Sequence, residues 1–162
     1  MSGRVRALLG GVVRTRPADL QVDLALVVVR IALAWIFAYY GGAKLFGWFG
    51  GAGIHGTTLF FEGTAGLHPG GFFAVLAGVI ELGGAIALVL GLGSRLVGLA
   101  LAGDMVMAMI TVTWANGLHN LAGHAGYEIN LALAALAVVV VALGAGRFSL
   151  DALAERAVRR TD

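Results

Sequence analysis

Four stretches of this chain, Leu24 to Gly42, Gly71 to Leu90, Leu96 to Trp114 and Ile129 to Gly146, are apolar almost without interruption. Each is long enough to cross about 30 Å of hydrocarbon as a helix. Bilayer hydrocarbon offers backbone N–H and C=O groups no partners, so a crossing segment must satisfy them itself. The sequence shows none of the dyad alternation and even turn spacing of a membrane barrel. The expected fold class is therefore all-α, an integral membrane four-helix bundle. Composition excludes most soluble alternatives, with 59% of the 162 residues hydrophobic and 12% charged. The lipid bilayer is the expected partner and nucleic acid is not. The 26 glycines are dispersed and suit close helix packing. With no cysteine, neither a disulfide nor a thiolate metal site can form.

The spacing divides the chain into a basic arm over 1–22, a membrane bundle over 23–146 and a tail over 147–162. Gly91 to Arg95 is too short to do anything but fold the second and third spans into an antiparallel hairpin. The loop over 43–70 is long, aromatic and glycine-rich, with room for structure of its own. Orientation follows from the arginines. Arg4, Arg6, Arg14 and Arg16 precede the first span, Arg95 sits in the tight turn, and Arg147, Arg156, Arg159 and Arg160 follow the fourth. The positive-inside rule thus places both termini in the cytoplasm, with all four histidines (His55, His68, His119 and His124) and Glu62 on the far side. The N-terminal arm reads as a topology signal, and it also suits an amphipathic helix on anionic lipid. Ala32-Leu33-Ala34 resembles a signal-peptidase site, but Arg30 interrupts the apolar run before it and the run continues to Gly42. An uncleaved first span is expected.

Ionisable residues inside spans are costly and are retained for a partner or a task. There are three: Arg30, Glu81 and Asp104. Counted from the cytoplasmic ends, they lie about 10, 14 and 12 Å deep. One depth on three helices predicts convergence, with Arg30 forking toward the carboxylates and the pair of acids sharing a proton. These are the candidate proton-handling residues. The alternative is an Arg30–Glu81 ion pair that only fixes helix register. Helical spacing aligns Arg30, Phe37, Gly41 and Lys44 on span one, Ala74, Ala77, Glu81, Gly84 and Ala85 on span two, and Ala100, Asp104, Ala108, Thr111 and Ala115 on span three.

A second polar layer gathers Tyr39, Tyr40 and Lys44 with Trp114, Asn116, His119 and Asn120 and with Tyr127, Glu128 and Asn130. Lys44 is expected to pair with Glu128, and the aromatics suit an interfacial belt. His119 and His124, five apart, do not share a helix face, and no metal site is expected.

Taken in order, several motifs resemble the DoxX family of four-helix bacterial and archaeal membrane proteins. They are Arg30 followed by Gly41-Gly42-Ala43-Lys44-Leu45, Gly78-Val79-Ile80-Glu81-Leu82, Leu90-Gly91-Leu92-Gly93-Ser94-Arg95, Met105-Val106-Met107-Ala108 and Tyr127-Glu128-Ile129. Last comes Gly144-Ala145-Gly146-Arg147-Phe148-Ser149-Leu150-Asp151, which resembles the family's G-x-G-R-x-S-L-D closure. Asp104 and the long basic arm depart from the pattern. The family is similar to the small membrane subunit of thiosulfate:quinone oxidoreductase. The resemblance implies a multi-pass protein of the bacterial or archaeal plasma membrane, a component of a sulfur or oxidative-stress redox system. It implies a quinone-facing or substrate-facing cavity with Arg30, Lys44, Glu81 and Glu128 as its polar groups, and Tyr40 and His119 of the second polar layer complete the ligand-binding candidates, with a quinone as the expected ligand. No flavin, haem or iron–sulfur motif is visible, so no intrinsic cofactor is expected and electrons would come from a soluble redox partner. Two other functions fit the same residues: a non-catalytic anchor for a soluble redox enzyme, and a proton-coupled carrier of a small metabolite. Catalysis by the chain itself and homo-oligomerisation are left open.

Overall fold

The computed structural model describes residues 20–119 and 125–159. The arginines of the N-terminal arm, Asn120, His124 and Arg160 lie outside them. Among the described residues the fold is entirely helical: α1 (Leu20–Phe46), α2 (Gly53–Gly63), α3 (Gly70–Leu90), α4 (Ser94–Ala108), α5 (Glu128–Leu143) and α6 (Leu150–Arg159). A π-helical turn over Met109–Thr113 and a short 3-10 turn extend α4 to Asn116. Three helices are long and apolar enough to cross a membrane, Leu20–Phe46, Gly70–Leu90 and Ser94–Asn116, and α5 is a shorter apolar helix. The surface agrees, with Trp35 79% exposed and Val28, Leu96 and Ile110 each above 60%. In water such a surface would aggregate; in hydrocarbon it is solvated. This is a helical membrane protein.

Helices α1, α3, α4 and α5 run side by side in alternating directions. Gly41 of α1 lies so close to α3 that a β-carbon there would sit 2.6 Å from Leu82 N, and Gly78 of α3 leaves the same room for Leu45. Gly84 accommodates Leu101 of α4, and Gly98 of α4 approaches the Ala137 carbonyl of α5. Glycines thus set the interhelical distances, as expected where close backbone approach drives membrane helix packing. Leu33, Phe37, Leu88, Leu101, Ala137 and Val140 form the fully buried centre.

The loop over 43–70 does hold structure. Helix α2 packs on α3, where Glu62 Oε1 accepts the Gly70 N–H at 2.9 Å. This end of the bundle is the loop end. The opposite, turn end carries the α3–α4 connection, where Gly91 ends α3 in the left-handed conformation (φ 65°) that glycine adopts without penalty. The C-terminal segment is no loose tail. It turns through Gly144–Ser149 and forms α6, whose first turn is fastened to the turn end.

Candidate functional site

Two polar clusters lie at different depths of the bundle, one at the turn end and one about midway along the spans. At the turn end, Arg30 is 2% exposed and spends its guanidinium on four backbone carbonyls. Its Nε donates to Leu88 O at 2.8 Å and Nη2 to Val89 O at 3.0 Å, while Nη1 reaches Ala145 O at 2.8 Å and Phe148 O at 3.0 Å. Leu88 and Val89 are among the last carbonyls of α3; Leu88 O also accepts the Gly91 N–H at 3.2 Å, and a cation there complements the helix dipole.

Asp151 does the converse for α4. Gly93 provides no side-chain cap, and the Asp151 carboxylate accepts the Gly93 N–H at 2.8 Å and the Ser94 N–H at 3.0 Å. The Asp151 N–H donates to Gly91 O at 3.0 Å. Buried Asp23 accepts the Arg147 N–H at 2.9 Å. Ser149 Oγ donates to Gly146 O at 2.6 Å and accepts the Ala152 N–H at 3.1 Å. The G-x-G-R-x-S-L-D closure is therefore a structural fastener joining α1, α3, α4 and α6. The sequence reading missed Asp23, Ser149 and Asp151, although the closure motif contains the last two.

Convergence of Arg30 on Glu81 and Asp104 does not occur. Gly41, not Arg30, is the α1 residue level with Glu81 and Leu82. It lies eleven residues beyond Arg30, or about 16 Å along the helix. Side chains also lean toward the N-terminus of their own helix. In antiparallel α1 and α3 that tilt sends Arg30 and Glu81 apart, and it brings Lys44 and Glu81 together.

Lys44 is accordingly the cation of the second cluster. Its Nζ donates to Glu81 Oε1 at 2.7 Å and Oε2 at 2.6 Å, and it lies 5.5 Å from the centre of the Tyr40 ring. Glu81 is 2% exposed and the Lys44 side chain 23%. Asp104 of α4 comes within hydrogen-bonding reach of Glu81, so a proton on either carboxyl can bridge them. With all three ionised, one positive and two negative charges leave a single excess negative charge.

The expected Lys44–Glu128 pair is likewise absent, because Lys44 is committed to Glu81. Glu128 instead meets His119, Oε1 to Nδ1 at 3.2 Å. Trp114 and Tyr127 stack beside them with centroids 5.2 Å apart. Among the described residues no group of histidines and acids is placed to hold a metal.

Lys44, Glu81 and Asp104 face a partly open cavity of about 560 Å³. Tyr40, Thr111 and Asn130 add polar atoms to walls that are otherwise apolar, and Ala100, Ala108 and Thr111 bring the small-residue row of α4 onto its lining. The π turn of α4 supplies Thr111, Val112 and Thr113 to the same wall. Such turns recur at functional sites because they break helical register locally. Of the ligand-binding candidates, Tyr40, Lys44 and Glu81 line the cavity, and Arg30, His119 and Glu128 do not. A few convergent polar groups in an apolar chamber of this size suit a small, largely apolar ligand with hydrogen-bonding ends.

A lipid-facing helical bundle that buries a cation and two carboxyls beside an internal chamber defines a polytopic membrane protein with an enclosed polar site. Residues 25–114, more than half of the chain, match the DoxX family model, and the chain belongs to the DoxX family. Residues 71–162 also match the model described as TQO small subunit DoxD. No curated protein and no solved structure matches it.

Proposed function

We propose that this protein is the membrane component of a quinone-linked redox system and that the Lys44–Glu81–Asp104 cavity receives the quinone ring. The observation that carries this reading is the buried ammonium–dicarboxyl cluster facing an otherwise apolar chamber. Converting a quinone to a quinol consumes two electrons and two protons, one proton at each oxygen. The Glu81–Asp104 pair is placed to hold and pass a proton. The remaining Lys44 N–H can donate to a ring oxygen. Electrons come from a partner, in keeping with the similarity of residues 71–162 to a protein described as a subunit.

The test is mass spectrometry of lipid-soluble molecules copurifying in mild detergent with the wild-type chain and with Glu81→Gln. We expect roughly one quinone per wild-type chain and about tenfold less in the variant. Quinone in neither sample would sink the reading and favour a non-catalytic anchor for a soluble redox enzyme. One feature already supports that second reading: α6 presents Leu150 and Leu153, three apart on one face, each more than 40% exposed.

The same proposal includes four crossings by α1, α3, α4 and α5, with the turn end and both termini in the cytoplasm of a bacterial or archaeal cell. Nine of the eleven basic residues support that orientation. At 16 residues α5 is about 24 Å long, near the thickness to be spanned. Because the chain has no native cysteine, single cysteines report topology directly. In intact cells a membrane-impermeant thiol reagent should label Thr64→Cys at the loop end and spare Ala154→Cys on α6. Labelling of both positions or only of Ala154→Cys would refute the orientation.

A further inference from the structure

Helices α3 and α4 approach each other closely on the turn side of the bundle, where Leu101 fills the space left by Gly84. Toward the loop end α3 is drawn to α1 by Gly78 against Leu45 and to α2 by Gly70 against Glu62. Helix α4 is held on the other side by Gly98 against α5. The two helices therefore part, and the cavity lies in the gap. Leu76 and Ile80 of α3 line one edge, and Ala100, Gly103 and Met107 of α4 line the other.

Several of these lining residues are also exposed: Leu76 by 40%, Met107 by 43%, and both Ala100 and Gly103. A β-carbon added at Gly103 would meet nothing within 4 Å. Gly103 lies nine residues into a helical stretch of 23 residues, about 14 Å from its start, which is hydrocarbon depth. The next residue inward is Asp104.

We propose that the cavity is entered sideways from the hydrocarbon through the α3–α4 gap at Gly103, so that its ligand is a molecule dissolved in the bilayer and not one delivered by water. The inference rests on the reading of this cavity as a ligand site. It adds the route and the solvent from which the ligand comes. A molecule passing Gly103 meets the Asp104 carboxyl first and the Lys44–Glu81 pair behind it. A polar head on a long apolar tail fits this order, with the head inside the chamber and the tail left in the gap among lipid chains.

Two measurements in lipid nanodiscs separate this inference from the quinone reading. The first places a nitroxide on a single cysteine at Met107, with Val106→Cys as a lipid-facing reference and Thr64→Cys as a water-facing one. The Met107 label should match Val106, colliding with oxygen and shielded from a water-soluble nickel chelate. A response like that of Thr64 means a water-filled mouth and overturns the inference, whether or not any ligand binds.

The second follows exchange of a benzoquinone with a ten-carbon tail. Gly103→Phe, which puts a ring into open space at the mouth, should slow exchange by about tenfold, and Val106→Phe, outside the lining, should leave it unchanged. Wild-type-like exchange in Gly103→Phe overturns the lateral route and leaves quinone binding standing. A wild-type chain that binds no probe overturns the quinone reading, and the nitroxide result then decides the mouth alone.

Discussion

Arg30→Met is expected to lose about 3–5 kcal/mol of stability, because it deletes four charge-assisted hydrogen bonds at once, two of them buried and two partly buried. For a chain of this size that amounts to a fall of roughly 10 °C in thermal midpoint, read by size-exclusion chromatography of heated detergent extracts. Arg30→Lys keeps the charge and loses the planar fork. It should recover less than half of the loss, since one ammonium cannot reach carbonyls on α3 and on the C-terminal turn together. Arg30 lies outside the cavity, so folded Arg30→Lys should retain copurifying quinone at the wild-type level. A midpoint for Arg30→Met within about 2 °C of wild type would show that the fastener contributes little.

The second large effect is expected at the Lys44–Glu81–Asp104 cluster. Lys44→Met strands Glu81, which is 2% exposed, beside Asp104 with no cation, and should destabilise the bundle by about 3–5 kcal/mol. Glu81→Gln combined with Lys44→Met removes both charges and should be markedly more stable than Lys44→Met alone. The coupling between the two substitutions is expected at about 2–3 kcal/mol in a double-mutant cycle on thermal midpoints. Additive losses would mean that the close Lys44–Glu81 contact is energetically empty. The double variant also separates stability from function, since it should fold and still lose the quinone.

Much of this architecture was legible in the sequence because membrane helices are specified by length and apolarity. The four apolar stretches became helices, with ends shifted by a few residues. Leu20 to Val22 joined α1 despite reading as part of the basic arm, because helical geometry continues past the hydrocarbon boundary. The aligned stripes on the first two spans also proved to face inward, small residues included, whereas the row on the third is mixed: Asp104, Ala108 and Thr111 are half-buried on the cavity wall, and Ala100 and Ala115 are exposed. Depth counting failed for Arg30 for a definite reason. It set the spans flush at the turn end, whereas the α-carbon of Arg30 lies about 16 Å nearer that end than the residue level with Glu81, and the arginine's tilt toward its helix N-terminus carries its charge further still. The same tilt, ignored at Lys44, hid that residue's true partner: a lysine near a helix end was read as reaching outward toward Glu128 when its chain points back to Glu81. The caps supplied by Asp23 and Asp151 were not legible from spacing, because each bridges segments more than 50 residues apart. No local rule pairs an acid with a helix end that distant.

The fastening of Arg30 also gives the bundle a sense of its own completion. Two of the guanidinium's acceptors, Leu88 and Val89, lie 58 and 59 residues further along the chain, and the other two, Ala145 and Phe148, lie 115 and 118 residues further. During synthesis the first helix therefore enters the membrane carrying a charge whose last partners have not yet been made. A nascent chain stopped before Ala145 holds a half-satisfied cation in its interior, a chemical mark that sets unfinished copies apart from finished ones.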